Sequence, residues 1–260
     1  MSEPVLIETI DGVATVTLNR PESYNSLNLL AKLLLLDGLR AIADDPEVRA
    51  VVLTGAGKGF CVGQDLAEIE PDRSAKERFS TVAEHYTPIA RLLAEMNKPV
   101  IAAVNGPAAG AGLSLAVAGD FRIASERASF TTAFTGIALS PDTGMSWQLP
   151  RLVGVAKATE LLMLSPTLKA DEALAIGLVN QVVSPDELLP AARSLATRLA
   201  AGPTLAYGMV RELLRFAADH DLAETLAKEH ELIERAGDTQ DHLGAVDAFL
   251  NKRKPEFTGR

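Results

Sequence analysis

Only one cysteine, Cys61, occurs in the 260 residues. A single thiol cannot close an internal disulfide or supply a multi-cysteine metal site. Such sparing use is expected of a reducing compartment. Long apolar runs are also missing. The richest stretches, 100–104 and 113–118, are short and broken by glycine and proline, well under the roughly 20 residues that span a bilayer. No membrane association is expected. The opening Met1-Ser2-Glu3-Pro4 has no basic patch and no long apolar stretch, so no signal peptide is expected and a cytoplasmic location is. Basic charge is the scarcer sign: 25 Lys and Arg face 34 Asp and Glu, a formal net charge of −9. A diffuse nucleic-acid footprint needs the opposite balance, so no nucleic-acid partner is expected. An anionic small ligand would need a local basic cluster. What the chain does have is apolar residues, 47% of the total. That rules out disorder and gives enough chain for a buried core, in one large domain or one domain with an appendage.

The runs 5–10 and 14–18 are β-rich and flank Asp11-Gly12. Asp-Gly between such runs predicts a hairpin, because both turn positions favour positive φ. A helix is predicted over 27–43, ended by Asp44-Asp45-Pro46. Buried-type strands are predicted over 49–54 and 99–104, and short strands over 121–124 and around Phe130. Val82, Ile89, Leu92, Leu93 and Met96 recur at helical spacing and predict one long helix over 74–97. The order strand, glycine turn, helix occurs at least twice, from Arg49 and from Pro99. The fold class is therefore α/β, with successive turns stacking and glycine loops at the strand ends. From Lys169 onward the pattern turns helical, over 170–176, 184–201 and 203–236. The last helix is apolar enough to be expected to cover a neighbouring subunit.

Two loops carry the chemistry. Gly55-x-Gly57-x-Gly59 leads into Phe60-Cys61-Val62-Gly63-Gln64-Asp65-Leu66. It lacks the Gly-Lys-Ser/Thr of a phosphate loop and a clean Gly-x-Gly-x-x-Gly. A tight turn is as good a reading of its glycines as a ligand loop. The second loop, Asn105-Gly106-Pro107-Ala108-Ala109-Gly110-Ala111-Gly112, is bare backbone opening into a predicted helix over 111–118. One peptide N–H from each loop can converge on a single oxygen, and the helix end adds partial positive charge. Such an oxyanion hole stabilises an enolate, each donor contributing about 3 kcal/mol. Ser140-Pro141-Asp142-Thr143-Gly144 adds one carboxylate in an uncharged neighbourhood. Taken alone, that segment reads as a turn with Asp142 capping the next helix. Cys61 reads as a small packing residue. Arg20, Lys58, Lys98 and Lys252-Arg253-Lys254 are candidate phosphate partners, though each taken singly reads better as an ordinary surface charge.

The segments 60–66, 105–112 and 130–151, in this order and spacing, resemble the enoyl-CoA hydratase/isomerase (crotonase) superfamily, and the similarity runs over nearly the whole chain. The resemblance implies a spiral of ββα repeats, with a core over 1–200 and a helical trimerisation region over 201–260. It implies acyl-CoA thioester substrates and a homotrimer or dimer of trimers. CoA arrives as part of the substrate, and no metal or redox cofactor is implied. The Gln64 and Ala111 N–H groups take the place of the oxyanion donors. Gly63, Asp65, Leu66, Gly110 and Phe134 fall around the substrate, with Asp65 shaping its loop from a helix N-terminus. His85 is a further candidate for the acyl pocket, although its place on the predicted long helix reads first as a solvated or interface position. The wall over 74–86 is expected to set acyl preference.

Departures from the family pattern bear on the reaction. Family hydratases use two glutamates, which would fall at Ser114 and Phe134, and neither residue has a carboxyl. Asp142 instead stands where double-bond and ring-epoxide isomerases of the family carry an aspartate. The expected activity is therefore acyl-CoA isomerisation, with Asp142 as the acid/base. Its pKa is expected to be raised by an apolar pocket of Phe130, Phe134 and Trp147. Three alternatives remain open: hydration through Asp142 alone, dehalogenation or hydrolysis with Asp142 as nucleophile, and acyl-CoA binding without catalysis.

Overall fold

The structure is a computed structural model that describes residues 3–260. Its strands are β1 (Val5–Ile10), β2 (Val13–Leu18), β3 (Ala50–Gly55), β4 (Val100–Val104), β5 (Ala108–Ala109), β6 (Phe121–Ser125), β7 (Ser129–Thr131), β8 (Leu168–Lys169) and β9 (Gln181–Val183). The main sheet has the order β1-β2-β3-β4-β6-β9, and a small second sheet has the order β5-β7-β8. β1 and β2 form the expected hairpin, with Asp11 and Gly12 both at positive φ. All later neighbours in the main sheet pair in parallel, so helices must cover both faces.

Alternation along the strands decides which helix covers which face. Val51, Leu53, Val100, Ala102 and Val104 pack with Leu35 and Leu39 of α1 (Leu29–Asp44). The intervening Ala50, Val52, Ile101 and Ala103 pack against a later helix through Leu188, Ala192, Ala196 and Ala200. α1 starts two residues later than predicted, because the Asn28 side chain accepts from Ala31 N–H and caps it.

The predicted helix over 74–97 is three pieces. Ser74 caps α2 (Ala75–Arg78) in a reciprocal capping box with Glu77. A π-turn follows at Val82–Tyr86, and then α3 (Thr87–Glu95). Pro88 has no N–H to give to the carbonyl of Glu84. The Thr87 N–H instead reaches back to Val82 O, and the ladder widens by one residue at that point.

After β4 and β5 come α4 (Ala111–Val117), α5 (Met145–Val153), α6 (Val155–Leu164), α7 (Ala170–Ala175) and α8 (Leu188–Ala200), the helix on the second sheet face. The predicted helix over 203–236 is interrupted. α9 (Thr204–Ala217) ends, Asp221 caps α10 (Leu222–Gly237), and α11 (Gln240–Leu250) follows. Arg211 ties α9 to the core, donating to Asp120 at 2.8 Å, to Lys98 O at 2.8 Å and to Leu93 O at 2.6 Å. α10 and α11 leave large apolar side chains uncovered; Leu222 is 74% exposed and Phe249 81%. Among the described residues no helix is long and apolar enough to cross a membrane.

Candidate active site

Two loops are brought level by one short parallel pairing. Cys61 and Ala108 form an isolated parallel bridge, in which Ala109 N–H donates to Cys61 O at 2.9 Å. Three residues beyond the bridge on each chain stand Gln64 and Ala111. Leu27 brackets the first loop from its other side: Leu27 N–H donates to Gly63 O at 2.7 Å, and Asp65 N–H to Leu27 O at 3.1 Å. Neighbouring peptide groups of an extended segment face opposite ways, so the Gln64 N–H faces away from Leu27. Ala111 opens α4, where an N–H has no intrahelical acceptor. Neither N–H donates to another group among the described residues. Gly63 allows the close approach: it sits at φ +88°, and a Cβ there would lie 3.1 Å from Ala111 N.

Both residues line a cavity of about 560 Å³, together with Gly63, Leu66, Gly110, Phe134, His85 and Asp142. Most of the sequence candidates are thus in one place. The stretch over 78–86 forms one wall, as expected, including Phe79, Val82 and His85. Ser114 lies just behind the lining. It is fully buried, and its hydroxyl reaches Gly110 O at 3.3 Å and Asp142 O at 3.5 Å.

Asp142 does not cap the helix that follows. The residue at the start of α5 is Gly144, and no side chain caps that end. The Asp142 carboxylate instead accepts from the Thr143 hydroxyl at 2.7 Å. Burial pushes its pKa above the ordinary carboxylate value, and the Thr143 hydroxyl partly opposes the shift. Thr143 itself sits at φ +54°, a costly conformation for a β-branched residue. Three other carboxylates line the cavity. Glu68 pairs with Lys32, Glu70 with Arg73, and Glu84 is exposed. Asp142 has no cationic partner among the described residues.

Several sequence candidates fall elsewhere. Asp65 is not in the cavity lining: its carboxylate pairs with Arg20 at 2.8 Å and caps the short turn Leu66–Glu68. It shapes the loop but does not contact the cavity. That pairing also commits Arg20, which donates in addition to Ser26 O at 2.6 Å. Lys98 is buried, with its ammonium on the carbonyls of Ile42 and Asp45. Neither cation is free for a phosphate. Phe130 is a core residue, and Trp147 lines a different hollow against α9, with the Arg151 guanidinium over its ring. The apolar wall therefore comes from Phe134, Phe79 and Val82. Gly55-x-Gly57-x-Gly59 is a turn held by the Asn25 and Asn105 amides, both on Gly59 O. Cys61 is buried and its thiol is pushed up to about 12 by desolvation, so it packs and does not react.

Sequence reasoning missed Lys32, Thr81 and Tyr86. Lys32 is 2% exposed and lines the cavity from α1. The available signal was its place on the buried stripe with Leu35, Leu36 and Leu39, where an unpaired lysine is costly. Among the described residues no three His, Cys, Asp or Glu side chains cluster in a way that could hold a metal ion.

Two N–H groups taken by no other group and a half-buried carboxylate thus line one cavity, at the ends of stacked strand–turn–helix units. The family model that matches the chain, enoyl-CoA hydratase/isomerase, covers residues 8–260. The chain belongs to this family and is an acyl-CoA-processing enzyme of the crotonase superfamily, with the crotonase fold. It is 41% identical over 262 residues to the 1,2-epoxyphenylacetyl-CoA isomerase of Escherichia coli K12, covering 100% of both chains. It is 36% identical to the crotonyl-CoA hydratase of Syntrophomonas wolfei, covering 99% of both. The crystal structure of an enoyl-CoA hydratase from Bacillus anthracis superposes with a TM-score of 0.93 at 34% identity, over 99% of this chain and 100% of that one.

Proposed function

We propose that the protein is an acyl-CoA isomerase that moves a double bond, or rearranges a ring epoxide, next to a CoA thioester. The thioester oxygen accepts from Gln64 N–H and Ala111 N–H, which stabilises the enolate formed when an α proton leaves. Asp142, as carboxylate, takes that proton and returns it to another carbon of the conjugated system. The observation that carries this reading is the half-buried, unpaired Asp142 in the same cavity as the two free N–H groups. Hydration would need a second carboxyl to place water. The two positions where the family's hydratases carry glutamates are occupied by the buried hydroxyl of Ser114 and the ring of Phe134. The likeness to the epoxyphenylacetyl-CoA isomerase supports the isomerase side. The scheme uses no metal or redox cofactor, since CoA comes with the substrate. Incubating the purified protein with a 3-enoyl-CoA in deuterated water should give the conjugated 2-enoyl thioester, with deuterium entering the product only as far as the Asp142 proton exchanges with solvent before it is returned. Hydration of crotonyl-CoA at a comparable rate would refute it.

Thr143 offers a graded test of the acid/base assignment. Its hydroxyl favours the charged form of Asp142, so Thr143→Ala should raise the pKa of Asp142 further. The activity requires the carboxylate, so the acidic limb of the kcat/KM profile should move to higher pH. An unmoved limb would mean that another group sets it. Likewise, the uncovered apolar faces of α10 and α11 are read as surfaces for other copies of the chain, in a trimer or a dimer of trimers. Sedimentation as single chains at micromolar concentration would overturn that.

A further inference from the structure

Lys32 is the feature of the cavity that the proposed chemistry does not use. Its ammonium donates to Thr81 Oγ1 at 2.9 Å, to Gln64 Oε1 at 3.0 Å and to Glu68 Oε2 at 3.4 Å. An ammonium has three N–H bonds, and all three are occupied. It has none left for a ligand, so any effect on catalysis passes through its partners.

The partner that matters is Gln64. Its amide oxygen also accepts from the Tyr86 hydroxyl at 2.9 Å. Its amide nitrogen donates to Asp65 O at 3.0 Å and to Glu68 Oε2 at 3.3 Å. The side chain is thus fully committed inside the protein, and only the main-chain N–H is left for the cavity. Lys32 reaches it from α1, while Thr81 and Tyr86 belong to the wall around the π-turn. One ammonium therefore joins three separate segments at the residue whose N–H direction matters most.

We infer that Lys32 is a positioning residue for the oxyanion hole, holding the Gln64 peptide in the direction that serves the thioester oxygen. The inference rests on the reading of Gln64 and Ala111 as the oxyanion donors. Small misplacements of such a donor are costly, because the hole works by being preorganised. The wall is also linked to Gln64 twice, from Thr81 through Lys32 and from Tyr86 directly through its hydroxyl.

The test does not require turnover. Hexanoyl-CoA labelled with 13C at the thioester carbonyl is bound to the full chain and followed by difference infrared spectroscopy. In the wild type the two N–H donors lower the carbonyl stretch relative to free ligand. Lys32→Met should lose at least half of that lowering, with Kd for hexanoyl-CoA changed by less than about threefold. A merely structural lysine would shift the melting temperature and leave the carbonyl frequency of bound ligand where it was. Lys32→Gln keeps polar atoms in place and serves if the Met variant does not fold; it should lose the lowering in part. A folded variant with the full wild-type lowering overturns the inference. A wild type that shows no lowering at all overturns the oxyanion reading, and this inference with it.

Discussion

Asp142→Asn is expected to lower isomerase turnover by about 10³-fold, within the range usual for loss of a general acid/base, while acyl-CoA still binds. The amide keeps an oxygen that can accept from Thr143, so the loop at 142–144 should hold its shape. The same substitution should make the fold more stable at neutral pH. Burial raises the pKa of Asp142 in the folded protein above its ordinary value of 3.8. The folded state then binds this proton more tightly than the unfolded chain does. Stability from this group therefore falls as pH rises from 3.8 through the folded pKa, and stays lower above it. Asn carries no such penalty. The difference in melting temperature between variant and wild type should be present at pH 7 and vanish below 3.8, where both forms are neutral. Assay of the conjugated thioester by absorbance and thermal melts across pH read both effects. Near wild-type turnover in the Asn variant would remove Asp142 from the mechanism. Lost turnover together with a lower melting temperature at pH 7 would mean that the carboxylate is structural.

Gly112→Ala should be nearly as damaging to the reaction, from a residue outside the cavity lining. A Cβ at Gly112 would stand 2.1 Å from Cys61 O and 2.6 Å from Cys61 C. Both are backbone atoms, so no side chain can rotate out of the way. The two loops must part, and the Gln64 and Ala111 N–H groups, which we propose act on one oxygen, would be drawn away from each other. Turnover is expected to fall by about 10²-fold or more, as when an oxyanion donor is lost. Forcing a methyl into this packed site should also cost about 1–3 kcal/mol of stability, read by urea unfolding. An Ala variant with wild-type turnover would show that the loops do not act as a pair.

The elements readable from sequence were those whose local chemistry and tertiary role agree. Asp11-Gly12 set the hairpin, and the all-apolar β3 and β4 announced a sheet covered on both faces. The helix over 74–97 was misread because its apolar spacing continues across Thr87-Pro88, and the missing N–H of Pro88 outweighs it. That Asp142, Gln64 and Ala111 share one cavity could be read through motif order, since the loops that hold them are fixed by backbone and glycine. Asp65 was legible as the residue that shapes its loop from a helix N-terminus, but its absence from the cavity was not, because its partner Arg20 is 45 residues away. Nor was Lys32, whose three acceptors lie on segments brought together only by folding. Phe130 and Trp147 show the remaining limit. An aromatic beside a motif reads the same whether its ring faces the cavity, the core or another helix.

The bridge between Cys61 and Ala108 imposes a counting rule on the chain. Side chains beside the bridge can change without moving it, since it is made by peptide groups. The number of residues cannot. Adding or deleting one position after the bridge on either loop would turn the next amide toward the opposite side. Homologues that keep an enolate-stabilising pair should therefore vary in composition through these stretches while showing no gaps there.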